Sequence, residues 1–79
     1  MSLEKLTTAF VNILEIVPEE VCNELSYSEH PTWDSMSHMM LIAELEGEFD
    51  IMLDTDDIID MSSFLKAQHI LAKYGVSFD

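Results

Sequence analysis

The boundary between a turn and a helix at residues 31–36 constrains this chain more than any other stretch. Pro31 and Thr32 interrupt regular structure. Beyond Asp34, apolar residues recur at helical spacing, with Met39, Ile42, Leu45 and Phe49 on one side and Leu41 beside them. Asp34 stands where an N-cap belongs, so its carboxylate can accept a backbone N–H that the first helical turn leaves unpaired. Ser35 then opens the helix, with its hydroxyl near the positive end of the helix dipole, where a phosphate ester is electrostatically favoured. The pattern predicts a helix over 35–49 and marks Ser35 as the residue that carries such an ester.

A chain of 79 residues forms one small domain, 1–79, near the size at which a single core is only just sufficient. Apolar residues make up 48% of it, enough to build that core. Cys22 is the one cysteine, so no disulfide can form within the chain and an oxidising compartment is not implied. No charged n-region precedes an apolar run and no stretch is long enough to span a bilayer. A soluble, cytoplasmic monomer is therefore expected, without membrane insertion.

Charge narrows the function classes. Sixteen acids face three lysines, Lys5, Lys66 and Lys73, for a net charge of −13. Such a surface repels phosphate backbones, so nucleic-acid binding is disfavoured, while basic protein surfaces are attracted. Nine of the acids fall between Asp34 and Asp60, a span without lysine or arginine. By composition alone that cluster reads as a solvated face. A docking face for cationic enzymes needs support from other residues.

The remaining chain reads as helices. Leu3, Leu6, Phe10, Ile13 or Leu14, and Val17 predict a first helix over about 3–16, with Ser2 as its cap and Pro18 as its stop. Residues 18–32 make a long connection with a turn of helix near 19–23, pinned to the core by Val21, Cys22, Leu25 and Tyr27. Trp33 anchors the end of this loop. After the second helix, the acids of Asp54-Thr55-Asp56-Asp57 suit the first turn of a short third helix. Ser62 or Ser63 caps a fourth, whose buried stripe is Phe64, Ala67, Leu71 and Tyr74, with Lys73 in its last turn and Gly75 as its stop. No hairpin, repeat or low-complexity signal is present. The expected fold is a small all-α bundle of three main helices and one short helix, with a long loop between the first two.

Several chemistries fit poorly. His38 lies three residues beyond Ser35, yet no glycine-rich turn or nucleophile elbow surrounds that serine, so no catalytic residue is assigned and His38 is placed at a surface or pocket rim. His30, His38, His69 and Cys22 are too scattered for a metal site. The run Asp50–Asp60 lacks the glycine and closing glutamate of a calcium loop. Met36, Met39, Met40, Met52 and Met61 read first as core filling. Met36 and Met40 are the candidates for a deformable contact surface, since the phase of Leu41, Leu45 and Phe49 does not require both inside.

The segment TWDSMSHMMLIAELEGEFDIMLDTDDIIDMSSF resembles the centre of acyl carrier proteins. These share an Asp-Ser-Leu or Asp-Ser-Met start to helix two, an apolar and acidic helix closing near Glu48-Phe49-Asp50, a short acidic third helix and a Ser/Thr-rich start to helix four. The likeness covers essentially the whole chain. It implies a carrier rather than an enzyme, with 4′-phosphopantetheine transferred from coenzyme A onto Ser35 by a separate phosphopantetheinyl transferase. It implies that Asp34 sits near that transferase's metal and that Met36 meets partner enzymes; Met40 stays a partner-contact candidate from its place off the buried stripe. Glu46 becomes an acid that partners read; Asp56 is a further partner-facing candidate, taken from the acidic cluster itself. Leu45, Met61 and Ala67 become the lining of a cavity for the acyl chain. The further partners implied are acyl-transferring or condensing enzymes with basic docking surfaces, in fatty-acid, polyketide or related biosynthesis. Ser37 and Met40 depart from the fatty-acid type, which commonly has acids there. Trp33 looks more like discrete carriers of specialised pathways.

Two alternatives remain open at this level. One is an acidic helical adaptor with no prosthetic group, using the same charges and methionines. The other is a peptidyl or aminoacyl carrier, although such carriers more often lead into their serine with a Gly-Gly-like pair where this chain has Thr32-Trp33-Asp34.

Overall fold

The first helix stops earlier than its periodicity predicts. In the computed structural model, which describes residues 2–27 and 29–78, α1 spans Ser2–Leu14. Glu15 adopts a left-handed conformation with φ of 55°, and this breaks the helical phase. Ile16 is thereby turned inward, 7% exposed, while Val17, expected on the buried stripe, is left 54% exposed. The side chain of Ser2, the expected cap, lies outside the described residues.

A 3-10 turn at Pro18–Glu20 follows, then α2 (Ser35–Phe49), α3 (Thr55–Asp60) and α4 (Phe64–Lys73). The protein is a small all-α bundle of three main helices and one short one, with a long connection between α1 and α2. No strand forms among the described residues; an isolated bridge joins Ser26 to Ser63. The radius of gyration, 11.2 Å, is close to the roughly 11.6 Å expected for a folded domain of this length.

The caps explain where the helices begin. Asp34 accepts the Ser37 N–H at 3.0 Å, and the Ser37 hydroxyl accepts the Asp34 N–H at 2.9 Å, a reciprocal box. Ser63 accepts the Lys66 N–H at 2.9 Å at the head of α4. Asp50 closes α2 with a left-handed φ of 55°, and Gly75 lies beyond α4 at φ of 93°.

The core gathers Leu6, Phe10, Leu14, Trp33, Leu41, Leu45, Met61, Ala67 and Leu71, each at most 1% exposed. Phe10 meets the rings of Trp33 and Phe64 edge-on, at 5.3 and 5.0 Å. Trp33 is thus the anchor that ends the connection. That connection is stitched down elsewhere too: Leu25 is buried, its carbonyl accepts the Phe64 N–H, and the Tyr27 N–H donates to the Ser62 carbonyl. Cys22 is exposed rather than pinned. Between its ends, His30 Nε2 lies 3.0 Å from Glu20 Oε2, and that contact holds the Glu20 carboxyl below its ordinary range.

At the other side of the molecule Asp57 accepts Lys73 Nζ at 2.7 Å and the Tyr74 hydroxyl at 2.6 Å, clasping α3 to the end of α4. Tyr74 in turn accepts the Asp54 N–H at 3.0 Å. No polar or charged side chain is buried among the described residues.

Candidate functional site

Ser35 is exposed at the first residue of α2, where the capping box fixes the backbone. Asp34, beside it, is also exposed, and the Ser37 backbone N–H followed by the Ser37 hydroxyl holds its carboxyl below the ordinary range. Ser37 therefore serves the fold, since its hydroxyl also donates to the Thr32 carbonyl and locks the turn that precedes the helix.

The Ser35 hydroxyl opens onto a cavity of about 320 Å³ between α2 and α3. Its walls are Tyr27, His38, Met39, Ile58, Ile59, Met61 and Ser62, most of them apolar. That volume is at the lower end of the roughly 300–1,000 Å³ found for small-molecule sites. Tyr27 Oη lies 3.1 Å from Ser35 Oγ.

His38 ties the wall together. The Trp33 indole Nε1–H donates to His38 Nδ1 at 3.0 Å, so the ring proton sits on Nε2 and is donated to the Ile58 carbonyl at 2.8 Å. The ring stacks on Trp33 and meets Tyr27 at its edge. With both nitrogens engaged, it is not offered to Ser35 as a base. Its position agrees with a pocket rim, and it also links α2 to the short α3.

The other expected site residues divide among five places. Met61 lines the cavity, whereas Leu45 and Ala67 are fully buried in the core and are not part of its wall. Asp34, Met36 and Met40 border a separate groove of about 300 Å³, shared with Ile13, Leu14 and Glu15 at the end of α1. Met39, expected in the core stripe of α2, is 57% exposed and walls the cavity instead. Glu46 is half-buried, and its Oε2 accepts the Leu53 N–H at 2.9 Å, holding the segment after α2. Asp56 is exposed on α3.

Comparison with known proteins adds nothing to this geometry. No protein-family pattern matches the chain, and no characterised protein does. Among the described residues, no cluster of three or more His, Cys, Asp or Glu could hold a metal ion, and no helix is long and apolar enough to cross a membrane.

Sequence reasoning missed Tyr27, Ile58, Ile59 and Ser62 as cavity residues. For Ile58 and Ile59 a signal existed, since two adjacent isoleucines on a six-residue helix cannot both face the core. For Tyr27, eight positions before Ser35 in an irregular loop, no periodicity could have found it.

Proposed function

We propose that this chain is an acyl carrier protein, bearing 4′-phosphopantetheine on Ser35 and holding acyl intermediates for acyl-transferring or condensing enzymes. The observation that carries the proposal is the placement of an exposed, helix-opening serine hydroxyl at the mouth of an apolar cavity of about 320 Å³. The residues fit the group. The hydroxyl is reachable by a transferase, and the backbone below it is fixed by the Asp34–Ser37 box. The helix dipole favours a phosphodiester at that end.

When bound, the arm supplies a thiol that holds acyl groups as thioesters. The roles of the chain follow from its own side chains. Ser35 Oγ would hold the arm, its proton passing to a base of the transferase and the nucleotide half of coenzyme A leaving as the phosphodiester forms. Asp34 stays ionised and keeps the first turn in register. Met39, Ile58, Ile59 and Met61 remove an acyl chain from water, worth about 0.8 kcal/mol for each methylene fully covered. Met36, at 75% exposure, and Met40, at 51%, present an apolar contact beside the modified residue. Around them a net charge of −13 speeds encounter with basic enzymes and keeps the resulting complexes exchangeable.

The test is direct. Incubated with coenzyme A, magnesium and a phosphopantetheinyl transferase, the protein should gain the arm's mass at one site, and Ser35→Ala should gain none. Failure of the wild-type chain to gain mass with several transferases would falsify the assignment and favour the adaptor, for which charge reversal at Glu46 or Asp56, not Ser35→Ala, should remove function.

A further inference from the structure

The Ser35 hydroxyl has a side-chain hydrogen-bond partner from outside α2. Tyr27 Oη sits 3.1 Å from Ser35 Oγ, and both residues wall the same cavity. The phenol is held in place both from outside α2 and by a ring on α2 itself. Its backbone N–H donates to the Ser62 carbonyl at 2.8 Å, and the nearby Leu25 carbonyl accepts the Phe64 N–H at 2.9 Å. Its ring meets the stacked pair of Trp33 and His38 edge-on, at 6.2 and 5.4 Å.

An exposed serine at a helix start needs no side-chain partner, because water satisfies it. The Tyr27 contact is therefore not needed to satisfy Ser35, and a use for it can be sought elsewhere. The charge distribution indicates what that use is. From residue 6 to residue 65 the chain has no lysine or arginine, so a phosphodiester on Ser35 meets no cationic side chain from that stretch. Both nitrogens of His38 are already engaged. Of the hydroxyls on the cavity wall, Tyr27 and Ser62, it is the Tyr27 O–H that lies within hydrogen-bond distance of Ser35 Oγ.

We propose that Tyr27 is a positioning residue for the prosthetic arm, donating its phenolic hydrogen to a phosphodiester oxygen once Ser35 is esterified; this rests on Ser35 being the attachment point. Esterification removes the Ser35 proton and turns Oγ into a bridging oxygen, a poor acceptor. It also places anionic oxygens one bond further out, within reach of the same phenol. A neutral donor on an anionic acceptor makes a charge-assisted bond, shorter and stronger than the hydroxyl–hydroxyl contact it replaces. Because Tyr27 is part of the cavity wall, the bond aims the arm's first atoms toward the cavity mouth instead of free solvent.

The test uses the wild-type protein, Tyr27→Phe, and Tyr74→Phe as a control that removes a hydroxyl bonded to Asp57. Each is loaded with coenzyme A, magnesium and a transferase, checked by intact mass, and examined by phosphorus NMR. All three should gain the arm. The phosphodiester resonance of Tyr27→Phe should move from the wild-type position by more than its linewidth, and that of Tyr74→Phe should coincide with wild type. In the loaded wild-type protein, proton NOEs should join the Tyr27 ring to the methylene next to the phosphate, a readout independent of any variant's folding. Coincident resonances in wild type and Tyr27→Phe, or absence of those NOEs, overturn the proposal and leave the carrier assignment standing. Wild type that takes up no arm overturns both. If Tyr27→Phe alone resists loading, the phenol acts in the transfer step and the positioning role stated here is overturned.

Discussion

The two halves of α2 are made of similar residues and meet different surroundings. Met36, Met39 and Met40 are 75, 57 and 51% exposed, whereas Leu41, Ile42 and Leu45 are 0, 3 and 0% exposed. Hydrophobicity does not separate the two groups, since methionine buries as readily as leucine. Placement does. α1 ends at Leu14, so Met36 and Met40 face an open groove beside Ile13, Leu14 and Glu15 rather than a continuing helix. Met39 faces the cavity under the short α3. The later half lies against the full bundle. One helix thus meets two environments: its middle packs in the core, and its first turns leave apolar side chains exposed around the hydroxyl that opens it.

That division can be broken by mutation. Leu45→Ala should cost the most, about 2–5 kcal/mol in urea denaturation, because the surrounding core cannot fully collapse on the space left behind. A cost no larger than that of a surface change would remove the distinction. Trp33→Phe should come next, at about 1–3 kcal/mol, since it keeps an aromatic ring and leaves His38 Nδ1 without its donor. It should also loosen α3, read as faster amide exchange at Ile58 and its neighbours.

Asp57→Asn tests the clasp that closes the far side of α3, with a smaller effect. Lys73, then Tyr74, hold the Asp57 carboxyl below its ordinary range. A folded-state value lower than the unfolded one means that the ionised form stabilises the fold above about pH 3.9, and that this contribution fades as pH falls through the folded value. The variant should therefore melt below wild type at neutral pH, with the gap closing on acidification. Lys73 is shifted upward by the same contact, so the clasp also weakens as strongly alkaline pH titrates it. Smallest in stability is Met36→Ala, expected within about 0.5 kcal/mol of wild type. On the carrier assignment its effect lies elsewhere, as a drop of up to about tenfold in kcat/KM for loading, the equivalent of roughly 1.4 kcal/mol. A large loss of stability with unchanged loading would mean that the exposed methionines are structural after all.

Much of the architecture is legible in the order of residues alone. The bounds of α2, the Asp34 cap, the Ser63 cap and the anchoring Trp33 follow from rules that act within one or two helical turns. The cap needs only an acid, a serine three residues on and a free N–H, all within six residues of one another. The register after Leu14 is not legible, because a left-handed Glu15 carries no compositional mark, and with it Ile16 and Val17 exchange sides. The division of the methionines is hidden for a related reason. Periodicity says which residues share a face, but not where the neighbouring helix ends.

The cavity is a still longer-range matter. Its wall joins Tyr27, His38, Ile58 and Met61, contributed by a loop, two helices and a link. Hydrogen bonds such as His38 to the Ile58 carbonyl, twenty positions away, fix that wall. Local chemistry made Ser35 the first residue of a helix. The packing of distant segments supplied its tyrosine neighbour and the chamber beneath it, because contacts between residues far apart in the chain depend on how whole elements dock, and no short window of sequence records that.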